Sequence, residues 1–460
     1  MKKRPEFFNA GGLACALFLG GCMSLAPAYQ RPDAPVADTF PHAGTVSGSA
    51  AAALDWQVFF SDARLKRLIE LALQNNRDLR VAILNIEQAR AQYQIRRADQ
   101  LPTLNVGASA SRQPNSSDGS TTTYSAGLTV TAYELDFFGR VRNLGDAALA
   151  QYLATEEARK SVQISLVASV ANIYLGLLAD DELLALTRQT LAAREESFKL
   201  TKLKFDNGVV SELDYQQARS LLEGARVTLA QQQRQRALDE NALVLLAGQP
   251  LPSALPAGAS FSTATLGPDL PAGLPSDLLT HRPDIRQAEQ QLIAANANIG
   301  AARAAFFPKI SLTGSAGSIS SELSGLFKGG SFAWTLAPQL LLPIFDAGRN
   351  QANLESAKAA RDIAVAQYEK AIQTAFREVS DALAGRATLG EQLRAQQTQA
   401  EAEAARFKLS DLCYRNGVAS YLDLLDAQRA LFSAQQAVVQ SRLAQLQNQV
   451  SLYKVLGGGG

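Results

Sequence analysis

From residue 62 to Leu101 apolar residues recur at three- and four-residue spacing (Leu65, Leu68, Ile69, Ala72, Leu73, Leu79, Ile83, Ile86), with Gln, Arg and Asn between them. That period predicts one amphipathic helix, ended by Pro102. The period then changes to two. Leu104, Val106, Ala108 and Ala110 alternate with Thr103, Asn105, Gly107 and Ser109, and after a polar loop Tyr124, Ala126, Leu128, Val130 and Ala132 form a second alternating row. The segment after Pro308 repeats the scheme: Ile310, Leu312, Gly314 and Ala316 make one row, and Phe332, Trp334, Leu336, Leu340, Leu342 and Ile344 another. None of these rows carries Lys or Arg. Their length suits a tilted crossing of a bilayer, although a half-buried soluble hairpin has the same pattern.

Each strand pair is followed by a helical pattern of nearly seventy residues without proline, over residues 139–207 and 347–416. At 1.5 Å per residue each rod reaches roughly 100 Å, far beyond ordinary globular helices. Each ends at Asn-Gly, where glycine takes the left-handed conformation at no steric cost, and a shorter helix returns over residues 211–247 or 420–456. The return leg covers only about half the rod, so the helix preceding each strand pair is expected to cover the remainder. Asp78 matches Asp284, Pro102 matches Pro308, Gly139-Arg140 matches Gly348-Arg349, and Asn207-Gly208 matches Asn416-Gly417, at offsets of about 206 to 209 residues. The chain is therefore an internal duplication. The expected organisation is a signal peptide (1–21), an extended tether (22–61), repeat 1 (62–247, hairpin 102–136), a Pro- and Gly-rich linker (248–275), repeat 2 (276–456, hairpin 308–346) and a glycine tail (457–460).

Composition removes several function classes. Lys plus Arg number 44 against 43 Asp plus Glu, which gives no general attraction to nucleic acid. Two histidines, His42 and His281, leave little for metal binding or acid–base chemistry. No phosphate-loop, dinucleotide or nucleophile-elbow pattern occurs, so neither an enzyme, a metal site nor a cofactor is expected. Lys2, Lys3 and Arg4 precede a short apolar run from Leu13 to Leu19, the arrangement of an export signal too short to span a bilayer. Leu19-Gly20-Gly21-Cys22 resembles a bacterial lipoprotein processing site, which predicts acyl chains on Cys22; the plainer reading is an ordinary signal with an incidental cysteine. Cys15 leaves with the signal and Cys413 has only Cys22 for company, so no structural disulfide is expected.

Four antiparallel strands cannot close a barrel, and in lipid an open edge leaves backbone groups unsatisfied. Copies must pool their strands: two copies give eight and a filled interior, three give twelve and room for a lumen.

Several segments carry a resemblance: Cys22 with Pro27, Tyr29 and Pro32; Trp56 with Phe59, Phe60 and Asp62; Asn75-Asn76 with Asp78-Leu79; Arg282-Pro283-Asp284-Ile285; Phe307-Pro308-Lys309-Ile310; Pro343-Ile344-Phe345-Asp346-Ala347-Gly348-Arg349; and the turn from Tyr414 to Arg429. The chain resembles the TolC-type outer-membrane efflux channels, and within them the lipoprotein branch serving resistance-nodulation-division (RND) pumps. The resemblance implies a membrane α+β fold. Four transmembrane strands per protomer complete a 12-stranded barrel in a homotrimer, continued by a long α-helical periplasmic barrel. It implies as partners a periplasmic membrane-fusion adaptor and an inner-membrane RND transporter. The activity implied is passive export of drugs or other small toxic compounds from the periplasm through the outer membrane, with a type I secretion or metal-ion efflux outlet as alternatives. A lipid-anchored periplasmic coiled-coil scaffold is the alternative of another class, disfavoured by apolar strand rows for which a scaffold has no use.

The resemblance also places a periplasmic gate at Leu422, Asp423, Asp426 and Arg429, and an inter-repeat lock at Tyr414 and Asp214. A basic residue that some members add to the lock falls here on Ala419, with Arg429 the candidate to replace it. The turns at Asn207, Gly208, Asn416 and Gly417 are where an adaptor would engage. A plainer account stands beside this one. Asp214 and Asp423 each follow a serine by three residues as capping-box partners, and Asp426 with Arg429 has the spacing of an ordinary surface ion pair.

Overall fold

The computed structural model describes residues 24–42, 54–114, 119–267, 270–273 and 275–459. Among the described residues the α-helices and strands follow in order: α1 (Trp56–Phe59), α2 (Ala63–Asn75), α3 (Arg77–Ala98), β1 (Leu104–Pro114), β2 (Ser120–Glu134), α4 (Arg140–Asp206), α5 (Glu212–Ala247), α6 (Pro275–His281), α7 (Pro283–Ala304), β3 (Lys309–Ser320), β4 (Phe332–Leu341), α8 (Arg349–Arg415) and α9 (Tyr421–Val455). The two rods, α4 and α8, are 67 residues each, and the return legs α5 and α9 are 36 and 35. The single helix expected before β1 is broken instead at Asn76, whose side chain accepts from the Leu79 amide at 3.0 Å while its Nδ2 donates to the Leu246 carbonyl. Repeat 2 breaks correspondingly between His281 and Pro283, where proline removes a backbone donor.

The chain divides into two compact units. The first comprises Met1–Ala34, Leu84–Glu157 and Arg286–Lys370 and holds the sheet, ordered β1-β2-β3-β4 and antiparallel throughout. The hairpins of the two repeats are thus joined through β2 and β3, with a register shift between Val130 and Tyr133, where Ala132 takes φ 50°. Gly127 sits opposite Gly317 at this seam, and a Cβ on Gly127 would lie 2.5 Å from the Ala316 carbonyl oxygen, so the strands approach this closely only without side chains. β1 and β4 each have one neighbour only, and their apolar residues lie open: Val106 is 85% exposed, and Trp334, Leu336 and Leu340 are likewise exposed. β1 extends to Pro114, which puts Arg112 at the end of its apolar row, bonded to Ser120 at 2.7 Å.

The same unit captures part of the expected tether. Ser24 donates to Asn143, the Leu25 and Pro27 carbonyls accept from Arg303 and Asn296, and Tyr29 and Arg31 converge on Glu289 at 2.7 to 3.0 Å. Burial and the Glu289 carboxylate push the Tyr29 hydroxyl pKa well above its ordinary value. Residues 24–31 are therefore strapped along α7.

The second unit comprises Pro35–Ile83, Ala158–Ile285 and Ala371–Gly460. Its core contains Phe59, Phe60, Leu65, Leu68, Ile69, Leu243, Ile285 and Tyr453, so Trp56, Phe59 and Phe60 anchor the end of the expected tether in the core. The Phe59 and Tyr453 rings stack with centroids 4.1 Å apart. Gly457, Gly458 and Gly459 are buried as well, with Gly458 packed where a Cβ would strike the Tyr453 ring. The glycine tail closes this core.

Candidate functional site: the two helical turns

Both turns are built alike. Gly208 (φ 69°) and Gly417 (φ 72°) end the rods in the left-handed conformation. The Val209 amide donates back to Lys204 at 2.8 Å and the Val418 amide to Cys413 at 2.9 Å, capping carbonyls that the helix leaves free. Asn207 and Asn416 each donate from Nδ2 to the carbonyl four residues earlier, at 2.7 Å in both turns. Ser211 with Asp214, and Ser420 with Asp423, then form complete capping boxes. The tips carry exposed Val209 and Val418 beside the exposed Leu213 and Leu422, an apolar feature that the turn chemistry alone does not signal.

Beneath the tips Ala218 and Leu221 of α5 pack with Tyr421, Leu424 and Leu425 of α9, flanked by Phe198, Phe407 and Tyr414. Tyr421 makes a polar link between the repeats: its hydroxyl lies 3.1 Å from Ser197 Oγ and accepts from Thr201 Oγ1 at 3.2 Å. A tyrosine at this position could have been noticed, because repeat 1 has Glu212 in its place.

The expected lock differs in its partners. Tyr414 accepts from Lys204 Nζ at 3.2 Å, and that ammonium lies 5.0 Å from the ring centroid. Asp214 accepts from the Ser211 hydroxyl at 2.8 Å, so Tyr414 and Asp214 are not bonded to each other within the chain. Local capping satisfies Asp214 before a longer-range donor can.

The residues expected at a gate fall on one side of α9. Leu422 is 56% exposed, and Asp423, Asp426 and Arg429 are exposed too. Asp426 is paired with Arg406 of α8 rather than with Arg429, and Arg406 also bonds Glu403 at 3.2 Å. The neutralising charge therefore comes from across the helical hairpin. Cys22, the expected lipidation site, lies outside the described residues. Cys413 is a free thiol.

Sequence patterning also passed over the role of Arg282. Its guanidinium, buried in the second unit, holds Asp284 at 2.6 Å, Glu378 at 2.8 Å and the Val455 carbonyl at 3.1 Å. It fastens the start of α7 to α8 and to the end of α9. Among the described residues no group of three or more His, Cys, Asp or Glu side chains could hold a metal ion.

Comparison with known proteins defines the class. The pattern of the family described as "Outer membrane efflux protein" matches residues 68–249 and 274–458, one block for each repeat. The toluene efflux pump outer membrane protein TtgC of Pseudomonas putida is 51% identical over 456 residues, covering 96% of this chain and 94% of that protein. The outer membrane protein OprJ of Pseudomonas aeruginosa is 48% identical over 465 residues, covering 99% and 97%. The open-state crystal structure of the MtrE outer membrane channel of Neisseria gonorrhoeae superposes with a TM-score of 0.88 at 42% identity, covering 95% of this chain and 98% of that one. The chain belongs to the outer membrane efflux protein family. It is a channel and not an enzyme, an outer-membrane exit duct of a tripartite pump. Its fold is the TolC type: the four-stranded sheet is one third of a twelve-stranded barrel, which continues into helices.

Proposed function

We propose that this duct passively conducts small toxic compounds, that an inner-membrane RND transporter and a periplasmic adaptor deliver them, and that its periplasmic end is gated by the α8–α9 turn. The observation that carries the reading is the pairing of an exposed four-stranded sheet having two free edges with two identically capped helical turns. The first needs lipid and further copies, because unpaired strand edges cost several kcal/mol per group in a bilayer. The second supplies rigid tips bearing exposed Val209 and Val418, an apolar contact of the kind an adaptor could grip. The relative named for toluene efflux supports small apolar cargo. Leu422, Asp426 and the Tyr414 contact with Lys204 are the groups that narrow and hold the resting end, and Cys22 carries the acyl chains that anchor the mature terminus.

Single-channel recording in a planar bilayer tests the duct. Wild type should insert and conduct, whereas Leu336→Arg on the open row of β4 should cost about 2 to 4 kcal/mol at the bilayer midplane and reduce trimer recovery on native gels. Equal insertion by both would remove that row from the lipid face. Fatty-acid labelling should mark wild type and not Cys22→Ser; equal labelling would refute the anchor.

A further inference from the structure

Above the turn, α4 and α9 border a cavity of about 140 Å³ lined by Thr190, Arg194, Phe407, Gln428, Phe432 and Gln435, among others. Arg194 is only 8% exposed. Its Nη1 donates to the Leu221 carbonyl at 3.1 Å and its guanidinium lies 5.4 Å from the Phe432 ring centroid, while Nε is buried with no partner. No carboxylate pairs with it among the described residues. Its electrostatic neighbour is a second cation, Arg429, and burial together with that neighbour lowers the Arg194 pKa.

A buried charge is ordinarily retained only when an opposite charge meets it, and a carbonyl with an aromatic face supplies only part of that compensation. Gln428 adds a second unmet group, since its Oε1 is buried without a donor. The cavity is thus bordered by a guanidinium lacking a counter-ion and by an amide which, turned over, offers N–H instead of oxygen. Its volume is many times the roughly 10–15 Å³ that one water needs on the same measure, room enough for a phosphate- or acetate-sized group.

We propose that this cavity binds a small free oxyanion, a carboxylate or phosphate, held by Arg194 of the first repeat and Gln428 of the second. An occupant ties α4 to α9 just above Asp426, so the two repeats are cross-braced by a ligand from solution. The site stands independently of the duct reading, and binding rather than conductance is the measurement that tests it.

The full-length protein, purified in detergent as assembled, is melted at constant ionic strength with inorganic phosphate replacing chloride. Wild type should gain about 3 °C or more at saturating phosphate. Arg194→Gln should lose that gain, and Gln428→Glu, which places a carboxylate in the cavity, should melt higher without phosphate and respond to it no further. An equal phosphate gain in wild type and Arg194→Gln would overturn the proposal, since phosphate also stabilises proteins by exclusion from their surfaces. A flat wild type together with a lower-melting Gln428→Glu would overturn it too, showing the cavity to be dry or filled by a carboxylate of a neighbouring copy. Should Arg194→Gln fail to fold, the Gln428→Glu arm decides alone.

Discussion

The turn of the first repeat and the turn of the second have the same backbone and different side chains. At corresponding positions Phe205 faces Tyr414, Ser197 faces Arg406, Glu212 faces Tyr421, Gln217 faces Asp426 and Ser220 faces Arg429, whereas Asn-Gly and the Ser…Asp capping box are common to both. The polar contacts differ too: Tyr421 of repeat 2 reaches Ser197 and Thr201 of repeat 1, Tyr414 meets Lys204, and Asp426 pairs with Arg406, while repeat 1 carries Lys202 with Asp206 beside its own turn. Aromatic contacts buttress both turns: between ring centroids Tyr215 lies 5.0 Å from Phe205 and 5.6 Å from Phe198 in repeat 1, and Tyr414 lies 5.4 Å from Tyr421 in repeat 2. Duplication supplied two turns of like backbone, and the side chains give each its own set of contacts.

That division of labour can be attacked first where it should be most unequal. Leu425 is buried in the tip core, whereas its counterpart Gln216 is exposed. Leu425→Ala should destabilise the tip by about 2 to 5 kcal/mol, and Gln216→Ala by no more than about 0.5 kcal/mol. Amide hydrogen exchange of the two turns in the intact assembly reads both, and equal losses would end the asymmetry. Next come the features the turns share. Ser211→Ala and Ser420→Ala should each cost about 1 kcal/mol, with matching acceleration of exchange at the first turns of α5 and α9; one loss several times the other would show that the caps are not equivalent.

The smallest energies belong to the contacts proposed to hold the resting end. Tyr414→Phe removes one hydrogen bond worth about 1 kcal/mol, and Asp426→Ala releases an exposed ion pair worth less than about 1 kcal/mol. Together they should leave the assembly intact and raise resting single-channel conductance. The matched changes Phe205→Leu and Gln217→Ala should leave conductance at the wild-type level. Unchanged conductance in the first pair would assign Tyr414 and Asp426 to packing and surface charge only.

What could be read from the sequence was whatever is local. Strand rows declare themselves by alternation, Asn-Gly by the need for a left-handed residue, and capping boxes by a serine and an aspartate three residues apart; each is settled within a few positions. The duplication was legible because those local signals recur in order. Arg406 with Asp426, Lys204 with Tyr414, and Arg282 with Glu378 were not legible, since these partners lie on different elements, 20, 210 and 96 residues apart, and meet only once the helices have packed. Asn76 stood between the two cases: an asparagine two residues before Asp78 is a start signal, but inside an unbroken apolar period it reads as a tolerated polar residue until its contact with Leu246 is seen. The strap of residues 24–31 was hidden for a further reason. Proline-rich segments signal extension without naming the surface they lie on, and Glu289 gives no hint of Tyr29 and Arg31 in its own neighbourhood.

The stacking of Phe59 on Tyr453 bears on the order of folding. The Tyr453 hydroxyl donates to the Leu54 carbonyl across 399 residues, so the second unit's core spans nearly the length of the chain. Contacts of such long sequence separation form slowly and late, because loop-closure entropy must be overcome before they contribute. A ribosome is almost finished with α9 before Phe59 has its ring partner. For most of synthesis the nascent chain therefore lacks the contact that closes this core, and the segment holding Phe59 waits for the last helix of the chain.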